Sequence, residues 1–140
     1  MIQKFKQAAN KKQGNIGIGL GASEYHNQKI LQASLNFIEL NIANVYIFGN
    51  SNFIYNLRKQ TPKNYLNSRI NFIECQTPEH IIIDSLIHNT IHSIVRGSMS
   101  SNEFIKSLKE KLKVKKTNRL ALLETNNGQQ FFFGPVGIDE

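Results

Sequence analysis

Residues 15–21 read Asn-Ile-Gly-Ile-Gly-Leu-Gly, and the period of this stretch decides the fold. Ile16, Ile18 and Leu20 alternate with Gly17, Gly19 and Gly21, so an extended chain here has one apolar side and one side without side chains. That pattern predicts a strand whose glycine face lets another backbone, a helix or a ligand come unusually close. Downstream, Ile30, Leu31, Ser34, Leu35 and Ile38 share one face of a helix over residues 24–40, with Ser23 as its N-cap. Val45-Tyr46-Ile47-Phe48 is a continuous apolar run, the signature of a strand buried on both faces.

Working outward, the same alternation of elements continues. Ser51 caps a short helix bearing Phe53, Ile54 and Leu57, and residues 69–75 give a third strand through Ile70, Phe72 and Ile73. Thr77, Pro78 and Glu79 supply a cap, a first-turn proline and an acid at the positive end of a helix through Ile81, Ile82, Leu86 and Ile87. Residues 92–96, with Ile94 and Val95, predict a fourth, buried strand. Ser100-x-x-Glu103 has the form of a capping box ahead of Phe104, Leu108 and Leu112. Residues 119–125 and Phe131 to Phe133 flank Asn127-Gly128, a tight-turn pair, and predict a hairpin. Upstream, the helical spacing within residues 1–12 predicts a short amphipathic lead-in helix stopped by Gly14. The order is that of an α/β protein: an open, mostly parallel sheet with helices on both faces and a C-terminal β-hairpin.

Composition bounds what such a fold can do. At 140 residues the chain is one domain, and 40% hydrophobic with 19% charged residues, 3 Pro and 9 Gly excludes collagen-like and disordered classes. Cys75 is the only cysteine and has no internal partner, and no apolar run reaches the roughly 18 residues of a membrane span. Residues 1–13 lack the apolar core of a secretory signal, which makes the cytoplasm the expected location. The net charge of +7 favours anionic partners without choosing among phosphorylated metabolites, nucleic acid and membrane surface. Part of that excess belongs to a general richness in Asn, Ile and Lys, so nucleic acid is the weaker reading.

Ligands of open α/β sheets bind beyond the carboxyl ends of strands, which selects residues 21–24, 49–52, 76–79 and 96–101. Gly17-x-Gly19-x-Gly21 formally matches a glycine-rich cofactor loop, and Gly19, Gly21 and Ser23 are its candidate residues. The fuller fingerprint is incomplete: no apolar strand precedes the first glycine, and Phe48 is followed by Gly49 and Asn50 rather than an acid. The alternative is that the glycines only permit close packing. More specific is Val95-Arg96-Gly97-Ser98-Met99-Ser100-Ser101, where a strand delivers a cation and hydroxyls to the start of a capped helix. Arg96, Gly97, Ser98, Ser100 and Ser101 are the candidate anion-binding residues, because free amides and the helix dipole favour phosphate or carboxylate and Arg can grip two oxygens. Against this stands a plain capping role for Ser100 and a local acid as partner of Arg96.

Three blocks of the chain resemble a known family. They are Ile18-Gly19-Leu20-Gly21; Ile94 to Ser101 with Phe104; and Leu120 to Thr125 leading to Phe132-Phe133-Gly134-Pro135-Val136-Gly137-Ile138-Asp139-Glu140. Together they are similar to the MtxX proteins of methanogenic archaea, methyltransferase-related and similar in fold to phosphate acetyl- and butyryltransferases. The resemblance implies an isocitrate/isopropylmalate-dehydrogenase-like fold, a cleft shared between two halves or two subunits, and a transferase activity. Family members are longer, so residues 1–140 read as one domain matching the amino-terminal part of such a chain. On this reading Arg96 and the amides of residues 98–101 hold an anionic group, a phosphate or a phosphorylated or coenzyme A compound, while a second substrate is set against it. Neither a cofactor nor a nucleophile and base is assigned.

The remaining features carry less. His88 and His92 have i, i+4 spacing but no Cys or acid at ligand spacing, so no metal site is assigned. Cys75 near His80 reads as a structural thiol. Lys106, Lys109, Lys111, Lys113, Lys115 and Lys116 read as a solvated face that steers anions, or as the contact of a non-catalytic basic interaction module. Phe131 to Phe133 put aromatic rings on both faces of one strand, which calls for a second layer or a partner chain, a homodimer among the candidates. Phosphate acyltransferase-like chemistry on an acyl-coenzyme A is the alternative transferase reading.

Overall fold

The computed structural model describes residues 13–134, so the lead-in helix expected over residues 1–12 and the closing residues 135–140 lie outside it. The elements are β1 (Gly14–Gly19), α1 (Glu24–Glu39), β2 (Ala43–Gly49), α2 (Ser51–Gln60), β3 (Ile70–Glu74), α3 (Pro78–Ile87), β4 (Ser93–Val95), α4 (Ser101–Leu112), β5 (Ala121–Glu124) and β6 (Gln130–Phe133).

β1 to β4 form one parallel sheet in the order β3-β2-β1-β4. β1 pairs with β2 from Gly14↔Ala43 to Gly19↔Phe48, and with β4 from Ile16↔Ser93 to Ile18↔Val95. The chain therefore winds one way through β1, β2 and β3, then crosses back to the far side of β1. Beyond the carboxyl ends of β1 and β4, where the winding reverses, an open sheet has its natural crevice.

Helices cover both faces, as the alternation predicts. On one face Ile18, Val45, Ile47 and Ile70 pack under Leu31 and Ile38 of α1 and Ile54 and Leu57 of α2. On the other, Phe48 packs with Ile82 and Ile83 of α3, Ile91, and Met99 ahead of α4. The unbroken run of β2 follows from this double burial, since Val45 and Ile47 serve one core and Phe48 the other. Ser23 caps α1, its hydroxyl accepting from the His26 amide, and Ser100 caps α4 by accepting from the Glu103 amide at 3.4 Å. α2 differs in detail: Ser51 is its first helical residue, and Asn50 occupies the cap without a side-chain bond.

The fourth strand is a correction. It spans only Ser93–Val95, and instead of being buried it has Ser93 and Val95 exposed. It lies at the sheet edge, and Val95 is 46% exposed beside Ile18, its pairing partner in β1. An apolar run states that a strand is apolar, not which neighbours will cover it. The expected hairpin forms with a shorter first strand and a second that begins one residue earlier, at Gln130, and β5 and β6 are antiparallel in a separate two-stranded sheet. No helix among the described residues is long and apolar enough to cross a membrane.

Candidate anion site at the β1 and β4 strand ends

Where the winding reverses, the loop after β1 and the loop after β4 are bonded directly to each other. The Gly21 amide donates to the Ser98 hydroxyl at 2.7 Å, and that hydroxyl donates to Asn27 Oδ1 at 2.6 Å. Asn27 closes the cycle by donating from Nδ2 to the Gly21 carbonyl at 2.9 Å. The Ser98 amide donates to the Gly19 carbonyl at 3.1 Å, so β1 and the β4–α4 loop share main-chain bonds as well. Asn27 is 2% exposed, and every polar atom of its carboxamide used here has a partner. A buried carboxamide without such partners would carry a desolvation penalty, so the cycle holds the two loops in one register.

This arrangement explains the glycines. A Cβ on Gly19 would overlap the Met99 side chain, and one on Gly21 would overlap the Ser98 carbonyl oxygen and sit 2.7 Å from its carbon. Gly97 has φ +63° and faces the Gly19 carbonyl, so it is the one position of the three that needs glycine for its dihedral as well as for space. What comes close to Gly19 and Gly21 is thus the protein's own β4–α4 loop, while Gly17 faces Ile91 and Ile82 of α3. Gly19 and Gly21 serve that approach, and Ser23 caps α1.

Arg96 stands at the lip of this junction. Its Nη1 donates to the Met99 carbonyl, tying the loop across its own turn, and among the described residues it is in no ion pair with an acid. Arg96 lines an open depression of about 520 Å³ together with Gly97, Ser98 and, from α1, His26, Lys29, Ile30 and Ala33. None of those residues is acidic. The Lys29 ammonium lies 4.3 Å from the centre of the Tyr25 ring, which steadies it at the rim of α1. Arg96 and Lys29 bring cationic donors and Ile30 and Ala33 apolar surface, so the chemistry offered is the binding of an anion rather than covalent attack. The Ser98 hydroxyl is committed as both donor and acceptor.

Of the residues selected from the sequence, Arg96, Gly97 and Ser98 meet in this depression, and Ser100 and Ser101 do not line it. Ser100 caps α4 and Ser101 begins it. Sequence reasoning missed His26 and Lys29, which α1 brings to the same place, and Asn27, which joins the loops. Asn27 did leave a signal, since it lies at helical spacing from Leu31, Ser34 and Ile38 on the buried face of α1. A carboxamide on an apolar stripe asks for a fixed partner.

The other features take structural roles. His92 Nδ1 accepts from the Asn15 amide at 2.9 Å, and the His88 ring bonds the Asp84 carbonyl. His80 meets the buried Ser107 hydroxyl between α3 and α4, where Lys111 also pairs with Asp84 at 2.7 Å. Burial pushes the Cys75 thiol above its ordinary pKa, against a smaller opposing effect of its bond with the Gly49 backbone, and Glu79 adds to the rise. No group of three or more potential metal ligands occurs among the described residues.

Comparison with known proteins bears on the whole chain. No family model matches it. A protein of Methanosarcina mazei named "Putative methyltransferase mtx subunit X" is 28% identical over 140 residues, covering all of this chain and 46% of that protein. The protein of the same name from Methanosarcina barkeri is 31% identical over 114 residues, covering 81% of this chain and 39% of its own length. That from Methanosarcina acetivorans is 24% identical over 140 residues. Among solved structures, precorrin-6y C5,15-methyltransferase from Geobacter metallireducens superposes with a TM-score of 0.41 at 11% identity, over 94% of this chain and 82% of that one. The chain is similar to these mtx subunit X proteins and spans a little under half the length of the curated relatives it matches.

Proposed function

We propose that this chain is the anion-binding part of a group-transfer protein of the MtxX kind, acting in the cytoplasm, and that the depression beside Arg96 holds the anionic group of a substrate. The observation that carries the reading is the convergence of Arg96 from the β4–α4 loop with His26 and Lys29 from α1 around a space lined by no acid among the described residues. Donors from two elements fix an anion in direction as well as in place, which is what setting a second substrate against it requires. The substrate class is a phosphate or a phosphorylated or coenzyme A compound. The names of the relatives support transfer of a methyl group as the reaction class, and a donor of the S-adenosylmethionine type is the second ligand to try. Within this reading the chain works as a homodimer through its hairpin.

Thermal unfolding with phosphate, acetyl-coenzyme A and S-adenosylmethionine in turn tests it. A ligand at about a hundred times its Kd stabilises by roughly 2.7 kcal/mol, a rise of several degrees for a domain of this size. Phosphate or the coenzyme A compound is expected to raise the melting temperature of the wild-type chain, less so in Lys29→Ala and not at all in Arg96→Ala. An unchanged melting temperature with every ligand, or a shift that survives Arg96→Ala, contradicts the proposal.

A further inference from the structure

A second cleft lies on the other flank of α1. At about 100° of turn per residue, Glu24 and Gln28 stand roughly opposite His26, on the side of α1 away from the Arg96 depression. There α1 and α2 enclose a space of about 170 Å³, which Ala22 borders just after β1 and Asn52 just after β2. Along α2, Asn52, Asn56 and Gln60 recur at i, i+4 and i+8, with Phe53 and the buried Leu57 beside them. α1 contributes Gln28, Glu24 and the buried Asn27.

Five of these side chains are carboxamides, and four of them hold nothing. The side chains of Gln28, Asn52, Asn56 and Gln60 take part in no hydrogen bond with any of the described residues. The chain is rich in Asn, but carboxamides elsewhere between its elements are paired. Asn44 donates to Asn15 and accepts from Arg69, Gln32 donates to Asn36, and Asn27 joins Gly21 to Ser98. Composition therefore does not account for an uncommitted set gathered around one cleft at the strand ends. Each carboxamide offers two N–H donors and an acceptor oxygen. No Lys, Arg or His lines the space, and the Glu24 carboxylate does, which disfavours an anion. The ligand that fits is uncharged, carries donors and acceptors side by side, and has apolar surface to set against Phe53 and Leu57.

We propose that this cleft holds the purine base of a nucleoside. One Asn or Gln carboxamide pairs in bidentate fashion with the amino group and ring nitrogen of adenine, and an aromatic side chain offers a base a surface to stack on. The volume limits what enters. At about 170 Å³ the cleft is smaller than the roughly 300–1,000 Å³ of pockets for drug-sized ligands, so it takes one ring system and leaves the sugar and its substituents outside. A free sugar shares the hydrogen-bonding chemistry, and the flat apolar surface of Phe53 and Leu57 favours the base over it. The base site does not rest on the Arg96 site, which lies on the opposite flank of α1, so either can fail without the other.

Adenosine, which carries no phosphate, is the probe, titrated into the intact ¹⁵N-labelled chain while the side-chain NH₂ signals of Asn and Gln are followed. Saturable shifts are expected for Gln28, Asn52, Asn56 and Gln60, and D-glucose is expected to shift none of them. The double variant Gln28→Ala/Asn56→Ala takes a carboxamide from each wall and is expected to weaken adenosine about fivefold or more, the worth of one good bidentate pair. Alanine is the best helix former and both positions are exposed, so the fold is expected to hold, with far-UV circular dichroism as the check. If the double variant fails to fold, Asn52→Ala alone is expected to weaken adenosine. Three results overturn the proposal: no saturable shift up to the solubility of adenosine, equal shifts with D-glucose, or wild-type affinity in a folded variant.

Discussion

Replacing Gly21 with alanine tests the close approach of the two loops, because Gly21 has an ordinary backbone conformation and the change is steric alone. The new Cβ would lie 2.7 Å from the Ser98 carbonyl carbon, against the 3.5–4.0 Å or so at which carbon atoms rest. The loops must part by about 1 Å. That movement stretches the Gly21–Ser98 bond of 2.7 Å and the Ser98–Gly19 bond of 3.1 Å past useful lengths. Two lost hydrogen bonds cost about 2 kcal/mol and overpacking about 1–3 kcal/mol. Stiffening the unfolded chain returns about 0.5–1 kcal/mol. The net loss is roughly 2–4 kcal/mol out of a total that is typically about 5–15 kcal/mol. Urea unfolding followed by far-UV circular dichroism reads it, the chain having no tryptophan. With a slope of about 2 kcal/mol/M the midpoint falls by roughly 1–2 M. Gly14→Ala is the matched control, since its Cβ would meet nothing nearer than His92 Nδ1 at 3.9 Å. Equal midpoints for Gly21→Ala and the wild type would refute the packing of this junction.

Three more outcomes follow from the same geometry. Ser98→Ala strips a partner from both the Gly21 amide and Asn27 Oδ1, so it is expected to cost about 2–4 kcal/mol, and a double-mutant cycle with Asn27→Ala to show coupling above about 1 kcal/mol; additive effects would dissolve the proposed cycle. Lys111→Met removes a half-exposed ion pair between α3 and α4 and is expected to change stability by less than about 1 kcal/mol, less still in 0.5 M salt; a larger loss would make that pair part of the core. Because burial raises the Cys75 pKa, its alkylation rate is expected to go on climbing past the pH at which a free thiol levels off; a plateau at or below about pH 8.5, where a free thiol titrates, would contradict this.

Much of the fold was legible because it is local. The alternation of residues 15–21, the Ser100-x-x-Glu103 cap and the run of residues 45–48 each state their own secondary structure, and their order limits the sheet to a few topologies. The edge position of β4 was not legible, since Ile94 and Val95 would read the same in a central strand. The site was half legible. Arg96, Gly97 and Ser98 are neighbours in sequence and were found. His26 and Lys29 enter only because α1 returns beside β4, and the bonds of Ser98 to Asn27 and Gly21 join residues 71 and 77 apart. The hairpin was clear from Asn127-Gly128, but its forming a sheet apart from the main one needed the observed pairing.

Arg96, His26 and Lys29 together are proposed to hold one anion at the reversal of the sheet. Titrating inorganic phosphate into uniformly ¹⁵N-labelled protein and following every amide signal tests it most directly. Saturable shifts are expected, confined to residues 96–98 and to the α1 face carrying residues 26 and 29 and abolished in Arg96→Ala. Shifts centred on the lysines of residues 106–116, or none at saturating phosphate, would contradict it.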